Sequence, residues 1–172
     1  MEEIRAETIF SGYLVDVAEK RFRRADGSEV ERQVVEHPGS VGIVAHDAEY
    51  VYLVRQPREA VGEDGLLEIP AGTLDVDGES ERECAERELS EEVELRAEHW
   101  SEPRAIYPSP GFLSEKLTIF EATGLSEQPG ETDDEEQIEV VRLPIAEIDS
   151  ALPGIEDAKT LIGLLLLRNK LS

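Results

Sequence analysis

Glu68 to Leu95, EIPAGTLDVDGESERECAERELSEEVEL, joins a glycine-containing loop to an acidic helix. Pro70-Ala71-Gly72 makes the loop, Asp77-Gly78 makes a turn, and the lack of Pro and Gly beyond it predicts a helix from Glu79 to about Val93. On such a helix Ala85, Leu89 and Val93 form the stripe that faces a core, and Glu88 and Glu92 fall beside that stripe, not opposite it. Glu91 adds a third carboxylate, and like charges at this spacing cost about 0.2–0.5 kcal/mol per pair. Glu91, Glu92 and Glu94 also crowd the helix C-terminus, where the macrodipole favours cations by roughly 0.3–1 kcal/mol. A hard divalent cation, Mg2+ or Mn2+, resolves both conflicts, because it takes carboxylate and carbonyl oxygens and cancels their repulsion. The competing reading is a solvated acidic face on an acidic protein.

The chain has 172 residues and 40% hydrophobic content, enough for one domain or one domain with a small appendage. Its apolar run Leu164–Leu167 is far short of the about 20 residues a membrane span needs, and MEEIRAETIF does not read as a leader, so the expected compartment is the cytoplasm. The single cysteine, Cys84, excludes an internal disulfide and, lying within the helix, reads as a small packed side chain. Forty acidic against seventeen basic residues give a formal charge of -23, a field that repels a nucleic-acid polymer but leaves room for a small anion held through a metal. Only Lys20, Lys116, Lys159 and Lys170 are lysines; a Glu-rich, Lys-poor surface suits a salt-rich cytoplasm, and a GC-rich genome leaves a similar trace.

From about Phe10 to His37 the chain reads as a hairpin, with Tyr13, Val15 and Val17 alternating, a turn at Ala25–Ser28, and Val30, Arg32, Val34 and Glu36 continuing. This arm has few large apolar residues and must pack on its own chain or on a partner. Val41–His46 and Tyr50–Arg55 are central strands; a polar loop through Gly65 and the run Leu66-Leu67-Glu68-Ile69 follow. Arg58, on that loop, either forks onto a phosphate or pairs with a nearby Glu. Glu98–Tyr107 is a strand, Tyr107–Phe112 (YPSPGF) a rigid shaped loop, and Lys116–Thr123 another strand. Ile138, Val140 and Val141 start the last strand, Pro144 opens a short helix through Ile148, and Asp157 caps a final helix carrying Leu161, Leu164 and Leu165. Mixed strands with one central and one terminal helix predict an α/β sandwich with helices on either side of a mixed sheet. His37, His46 and His99 are scattered and receive no catalytic role.

Gly72, Glu79, Arg87-Glu88-Leu89, Glu91-Glu92 and Leu95 resemble the Nudix box. Two departures stand out: six residues, not five, separate Gly72 from Glu79, and Glu94 replaces the late Gly. Ser109-Pro110-Gly111-Phe112, Glu68–Gly72, His37–Val41 and Asp157–Thr160 are similar to the ADP-ribose pyrophosphatase branch. The resemblance implies a Nudix-type α/β/α sandwich at 39–172 and, at 1–38, an antiparallel β arm exchanged in a homodimer. It implies Mg2+-dependent cleavage of ADP-ribose to AMP and ribose 5-phosphate, the alternatives being hydrolysis of another nucleoside diphosphate sugar such as GDP-mannose, or a catalytically weak ligand sensor.

Carried onto this chain, the resemblance makes Glu88 and Glu92 the main metal ligands, with Glu91 assisting and the Ala71 carbonyl completing the set. It gives Arg87 the task of holding a box carboxylate, with Glu91 one turn on within reach. Glu79 is a lesser candidate, because the insertion precedes it. Glu136, in the acidic run 131–137, is the general base or a further metal ligand, with Asp134 and Glu135 as alternatives. Arg58 contacts the pyrophosphate, and Pro110, Gly111, Phe112 and Glu115 complete the substrate-binding set.

Overall fold

The computed structural model describes residues 1–12, 15–128 and 137–171. They divide into two compact units: Met1–Gly39 with Tyr107–Lys116, and Ser40–Ile106 with Leu117–Ser172.

In the first unit β1 (Glu2–Ser11), β2 (Asp16–Arg23) and β3 (Glu29–Glu36) form an antiparallel sheet in that order. The β2–β3 turn falls at Ala25–Ser28 as expected, with Gly27 at φ 82° and the Ser28 N–H donating to Asp26 at 3.0 Å. The arm has three strands where the alternation predicts a two-stranded hairpin from about Phe10, because Glu2–Ser11 forms the further strand β1. Register shifts between Glu3 and Arg5 and between Thr8 and Phe10 break the period-two pattern, and the strand is exposed along nearly its whole length. Tyr13, used in the hairpin reading, lies outside the described residues. Charged rungs across the strands support this sheet, Lys20 lying 3.1 Å from Glu3 and Arg23 3.1 Å from Glu29. Ala18 is its one buried apolar side chain among the described residues. The Pro-rich segment runs beside β3: Val35 N–H donates to the Phe112 carbonyl at 2.8 Å and Ser114 N–H to the Val35 carbonyl at 3.0 Å.

The second unit is built on β4 (Ser40–His46), β5 (Tyr50–Arg58), β6 (Glu63–Glu68), β7 (Ala71–Thr73), α1 (Glu81–Val93), β8 (Leu95–Trp100), β9 (Arg104–Ile106), β10 (Leu117–Glu127) and β11 (Glu139–Pro144). α2 (Ile148–Ala151), flanked by short 3-10 turns, and α3 (Ala158–Leu171) complete it. The sheet path is β11-β5-β4-β10-β8, with β6 on β5, β7 on β4 and β9 on β10. β4 and β10 are parallel and the other pairs antiparallel, so the sheet is mixed. Three expectations shift: β5 runs on to Arg58 and β6 begins at Glu63, leaving a tight turn; Glu98–Tyr107 splits into β8 and β9; and the short helix opened by Pro144 begins as a 3-10 turn at Ile145.

Alternation sorts the strand residues onto two faces. Val41, Ile43, Ala45, Val54, Phe120 and Ala122 pack with Cys84, Ala85, Leu89 and Val93 of α1. Val44, Val51, Leu53, Leu117 and Ile119 pack with Ile148, Leu164 and Leu167 of α2 and α3. The sandwich is therefore helix, sheet, helix, as the mixed strands and two main helices predict.

Candidate active site

β7 is three residues long, yet it is fixed at both ends. Ala71 and Gly72 pair with Gly42 and Val41, and the Ile43 N–H donates to the Pro70 carbonyl at 2.8 Å. The Ala71 N–H is directed at Glu92, donating to its Oε2 at 2.9 Å, and Glu92 is buried. α1 lies so close to Gly72 that a Cβ there would stand 1.9 Å from Glu88 Oε1 and 2.1 Å from its Cδ. Glycine is required at 72 for this approach, whatever the backbone angle. Glu88 and Glu92, which helical spacing puts beside the core-facing stripe, thus meet the Ala71–Gly72 backbone.

α1 starts two residues later than expected. Ser80 is its N-cap, and a reciprocal box with Glu83 satisfies both backbone N–H groups, so Glu79 lies before the helix. Ahead of the cap lies a turn in which the Glu79 N–H donates to the Val76 carbonyl at 3.1 Å and Gly78 takes φ 84°. That turn delivers Glu79 to Arg87. Arg87 Nε and Nη2 grip the two oxygens of Glu79 at 2.9 and 3.1 Å, while Nη1 donates to Glu88 at 2.7 Å and to Glu91 at 2.9 Å. The bidentate fork expected for a box carboxylate therefore closes on Glu79, and Glu91 and Glu88 share the remaining nitrogen. Hydrogen bonding to Glu79 raises the Arg87 pKa above its ordinary value, and the same contact holds the Glu79 carboxyl below the usual carboxylate range. At the far end of α1, Glu94 takes the left-handed conformation, φ 56°, and its N–H closes the helix on Leu89 and Ser90. Cys84 is fully buried and desolvation pushes its thiol up to about 12, so it packs and does not react.

Arg58, partly exposed, is paired with the buried Glu68. Its Nε and Nη2 donate to Glu68 Oε1 and Oε2 at 2.6 and 2.9 Å, and Lys159 donates to Glu68 Oε2 as well. Burial pushes the Glu68 carboxyl up, but the hydrogen bonds from Arg58 and Lys159 outweigh it and leave it below the ordinary value. Lys159 also pairs with Asp157 at 3.1 Å. Asp157 caps α3 as predicted, accepting from the Thr160 N–H at 2.9 Å and from its hydroxyl at 2.6 Å, and the Ile69 N–H donates to Thr160 Oγ1 at 2.7 Å. Sequence reasoning assigned no role to Glu68 or Lys159. The available signal was a carboxylate inside the apolar run Leu66-Leu67-Glu68-Ile69, since a charge there requires a buried partner.

Glu136, with Asp134 and Glu135, lies outside the described residues. Pro110, Gly111, Phe112 and Glu115 belong to the first unit, where the Ser109 carbonyl accepts from Phe112 and Leu113 at 3.3 and 3.1 Å, and Phe112 is exposed. Among the described residues no three Asp, Glu, His or Cys side chains form a ready metal cage. Mg2+ does not require one, because it commonly takes one or two carboxylates and fills its remaining positions with water and substrate oxygens.

Residues 36–163 match the model of the NUDIX domain. The chain is similar to the ADP-ribose pyrophosphatase of Mycobacterium tuberculosis (strain ATCC 25618 / H37Rv), with 39% identity over 149 residues, 85% of this chain and 72% of that one. It is also similar to the ADP-ribose pyrophosphatase of Bacillus subtilis (strain 168), with 34% identity over 172 residues, 97% of this chain and 92% of the relative. A crystal structure of an ADP compounds hydrolase superposes with a TM-score of 0.83 at 26% identity, covering 99% of this chain and 93% of its own. With the domain match spanning most of the chain, and with Glu88 and Glu92 seated on the Ala71–Gly72 strand beside Arg87, this protein belongs to the Nudix hydrolases.

Proposed function

We propose that this hydrolase cleaves ADP-ribose to AMP and ribose 5-phosphate with Mg2+ or Mn2+ as cofactor. The observation that carries the reading is the seating of Glu88 and Glu92 against the Ala71–Gly72 backbone, in a chain 39% identical to an ADP-ribose pyrophosphatase.

The donors fit a hard cation: Glu88, Glu92 and the Ala71 carbonyl would hold it, with Glu91 assisting, and Gly72 leaves Glu88 its place. When bound, the cation offsets charge on the phosphate oxygens and favours deprotonation of the attacking water. Arg87 keeps Glu88 and Glu91 in one orientation by donating to both. Glu136, or Asp134 or Glu135 in its place, accepts the proton as the water oxygen forms its bond to phosphorus. The bridging P–O bond breaks in line, and the two phosphates leave on AMP and ribose 5-phosphate. Arg58 donates to the pyrophosphate, and Pro110, Gly111, Phe112 and Glu115 act in substrate binding. In this reading the reaction runs in the cytoplasm and the working form is a homodimer assembled through β1–β3.

Purified protein incubated with ADP-ribose, GDP-mannose and a nucleoside triphosphate, with Mg2+ and with chelator, tests the reading through its phosphate products. AMP and ribose 5-phosphate, formed fastest from ADP-ribose and only with metal, are expected; faster turnover of GDP-mannose overturns the substrate assignment. Glu92→Gln is expected to abolish turnover and to remain folded, since a side-chain carbonyl can still accept from Ala71. Wild-type rates in that variant would remove Glu92 from the metal set.

A further inference from the structure

Glu68 is 1% exposed and has two cations where a static pair needs one. The two cations differ in their surroundings. Arg58 is 42% exposed and reaches Glu68 from the end of β5, whereas Lys159 is 16% exposed and is held from α3 by Asp157 at 3.1 Å. Lys159 shares Oε2 with the Arg58 guanidinium, so the carboxylate keeps a charged partner on that oxygen if the guanidinium turns away. A buried carboxylate stripped of its sole counter-ion is strongly disfavoured, and an arginine that is the sole counter-ion cannot leave to bind anything else. Two links, Lys159 to Glu68 and Ile69 to Thr160, tie the same turn of α3 to the strand end that carries Glu68 and leads to Ala71.

We propose that Lys159 is a positioning residue: it holds the charge of Glu68 so that the Arg58 guanidinium is released from Glu68 to the pyrophosphate of the substrate. This rests on the reading of Arg58 as the pyrophosphate contact. Lys159 does not itself touch substrate, because its ammonium stays between Glu68 and Asp157. The guanidinium then binds the diphosphate through the same planar fork that it shows to Glu68.

The test reads KM and kcat for ADP-ribose with Mg2+, and in parallel the calorimetric Kd for inorganic pyrophosphate, in Lys159→Met, Lys159→Arg, Arg58→Met, Glu68→Gln and the double variant Glu68→Gln/Lys159→Met. Lys159→Met is expected to raise KM and Kd by about tenfold or more with kcat changed less than about twofold, and Lys159→Arg to restore both. In the Glu68→Gln background, where no anion holds Arg58, removal of Lys159 is expected to leave KM and Kd unchanged. Equal losses in both backgrounds, or a lowered Tm with KM and Kd intact, would mean that Lys159 is structural and would overturn the proposal. If Lys159→Met does not fold, Lys159→Gln carries the same expectation. Unchanged KM and Kd in Arg58→Met would instead sink the reading of Arg58, and pyrophosphate binding that responds to Lys159 without ADP-ribose turnover would sink the substrate alone.

Discussion

Arg87 is the residue on which the box depends: one guanidinium contacts Glu79, Glu88 and Glu91, and these carboxylates repel one another without it. Gly72 is its counterpart on the strand side. Gly72→Ala places a methyl 1.9 Å from Glu88 Oε1 and a Cβ-to-Cγ contact of 2.3 Å, so Glu88 must leave its place and the approach of α1 to β7 must loosen. The expected result is a loss of turnover of about 100-fold or more together with a lowered Tm, measured by kinetics and thermal melting. Glu94 shows the opposite balance. It is exposed, occupies the left-handed region at φ 56°, and adds a negative charge at a helix end whose last turn has no basic residue. Glu94→Gly removes the Cβ penalty and the unfavourable charge, and is expected to stabilise the fold by about 0.5–1.5 kcal/mol, raising Tm by a few degrees.

At the scale of elements, the site is a meeting of a three-residue strand, a capped helix and the first turn of a second helix. β7 owes its placement to β4, and α1 owes its start to Ser80 and Glu83. α3 is fastened by close packing at Gly163, where a Cβ would come 2.8 Å from Val44, and by Thr160, which is fully buried and accepts from the Ile69 N–H. Thr160→Val keeps the shape and deletes that acceptor. The orphaned N–H is expected to cost about 1–3 kcal/mol in chemical unfolding, and the loosened strand end to lower activity beyond what the stability loss explains.

For the whole molecule, charge and oligomeric state dominate. A formal charge of -23 means that the folded chain concentrates repulsion that the unfolded chain spreads out. Raising NaCl from about 0.1 M to about 1 M shortens the screening length from about 10 Å to about 3 Å, and Tm is expected to rise by several degrees across that range. In the first unit Ile9 and Phe10 on β1 are exposed, and β1 is an edge strand of a sheet with little core. A long apolar-bearing edge invites pairing with a second copy. Light scattering after size exclusion is expected to give a dimer for the wild-type chain and a monomer for Ile9→Lys/Phe10→Lys; a wild-type monomer at working concentration would remove the dimer from the proposal.

The sequence by itself determined the helix–sheet–helix sandwich and the core-side placement of Glu88 and Glu92 on their helix, because both follow from short-range periodicity. Alternation divides Val41 and Ile43 from Val44, and helical spacing puts the two glutamates beside Leu89. Other features were decided only by tertiary structure. β1 was not legible because two register shifts erase its alternation, whereas the start of α1 is set locally by the Ser80–Glu83 capping box, a signal that the Ser-x-x-Glu spacing itself carries. The pairing of Arg87 with Glu79 depends on the turn that closes Glu79 onto Val76, and the sharing of Glu68 by Arg58 and Lys159 joins positions 91 residues apart. A charge inside an apolar run declares that it needs a partner; which partner it finds is set by the folding of α3 against the sheet.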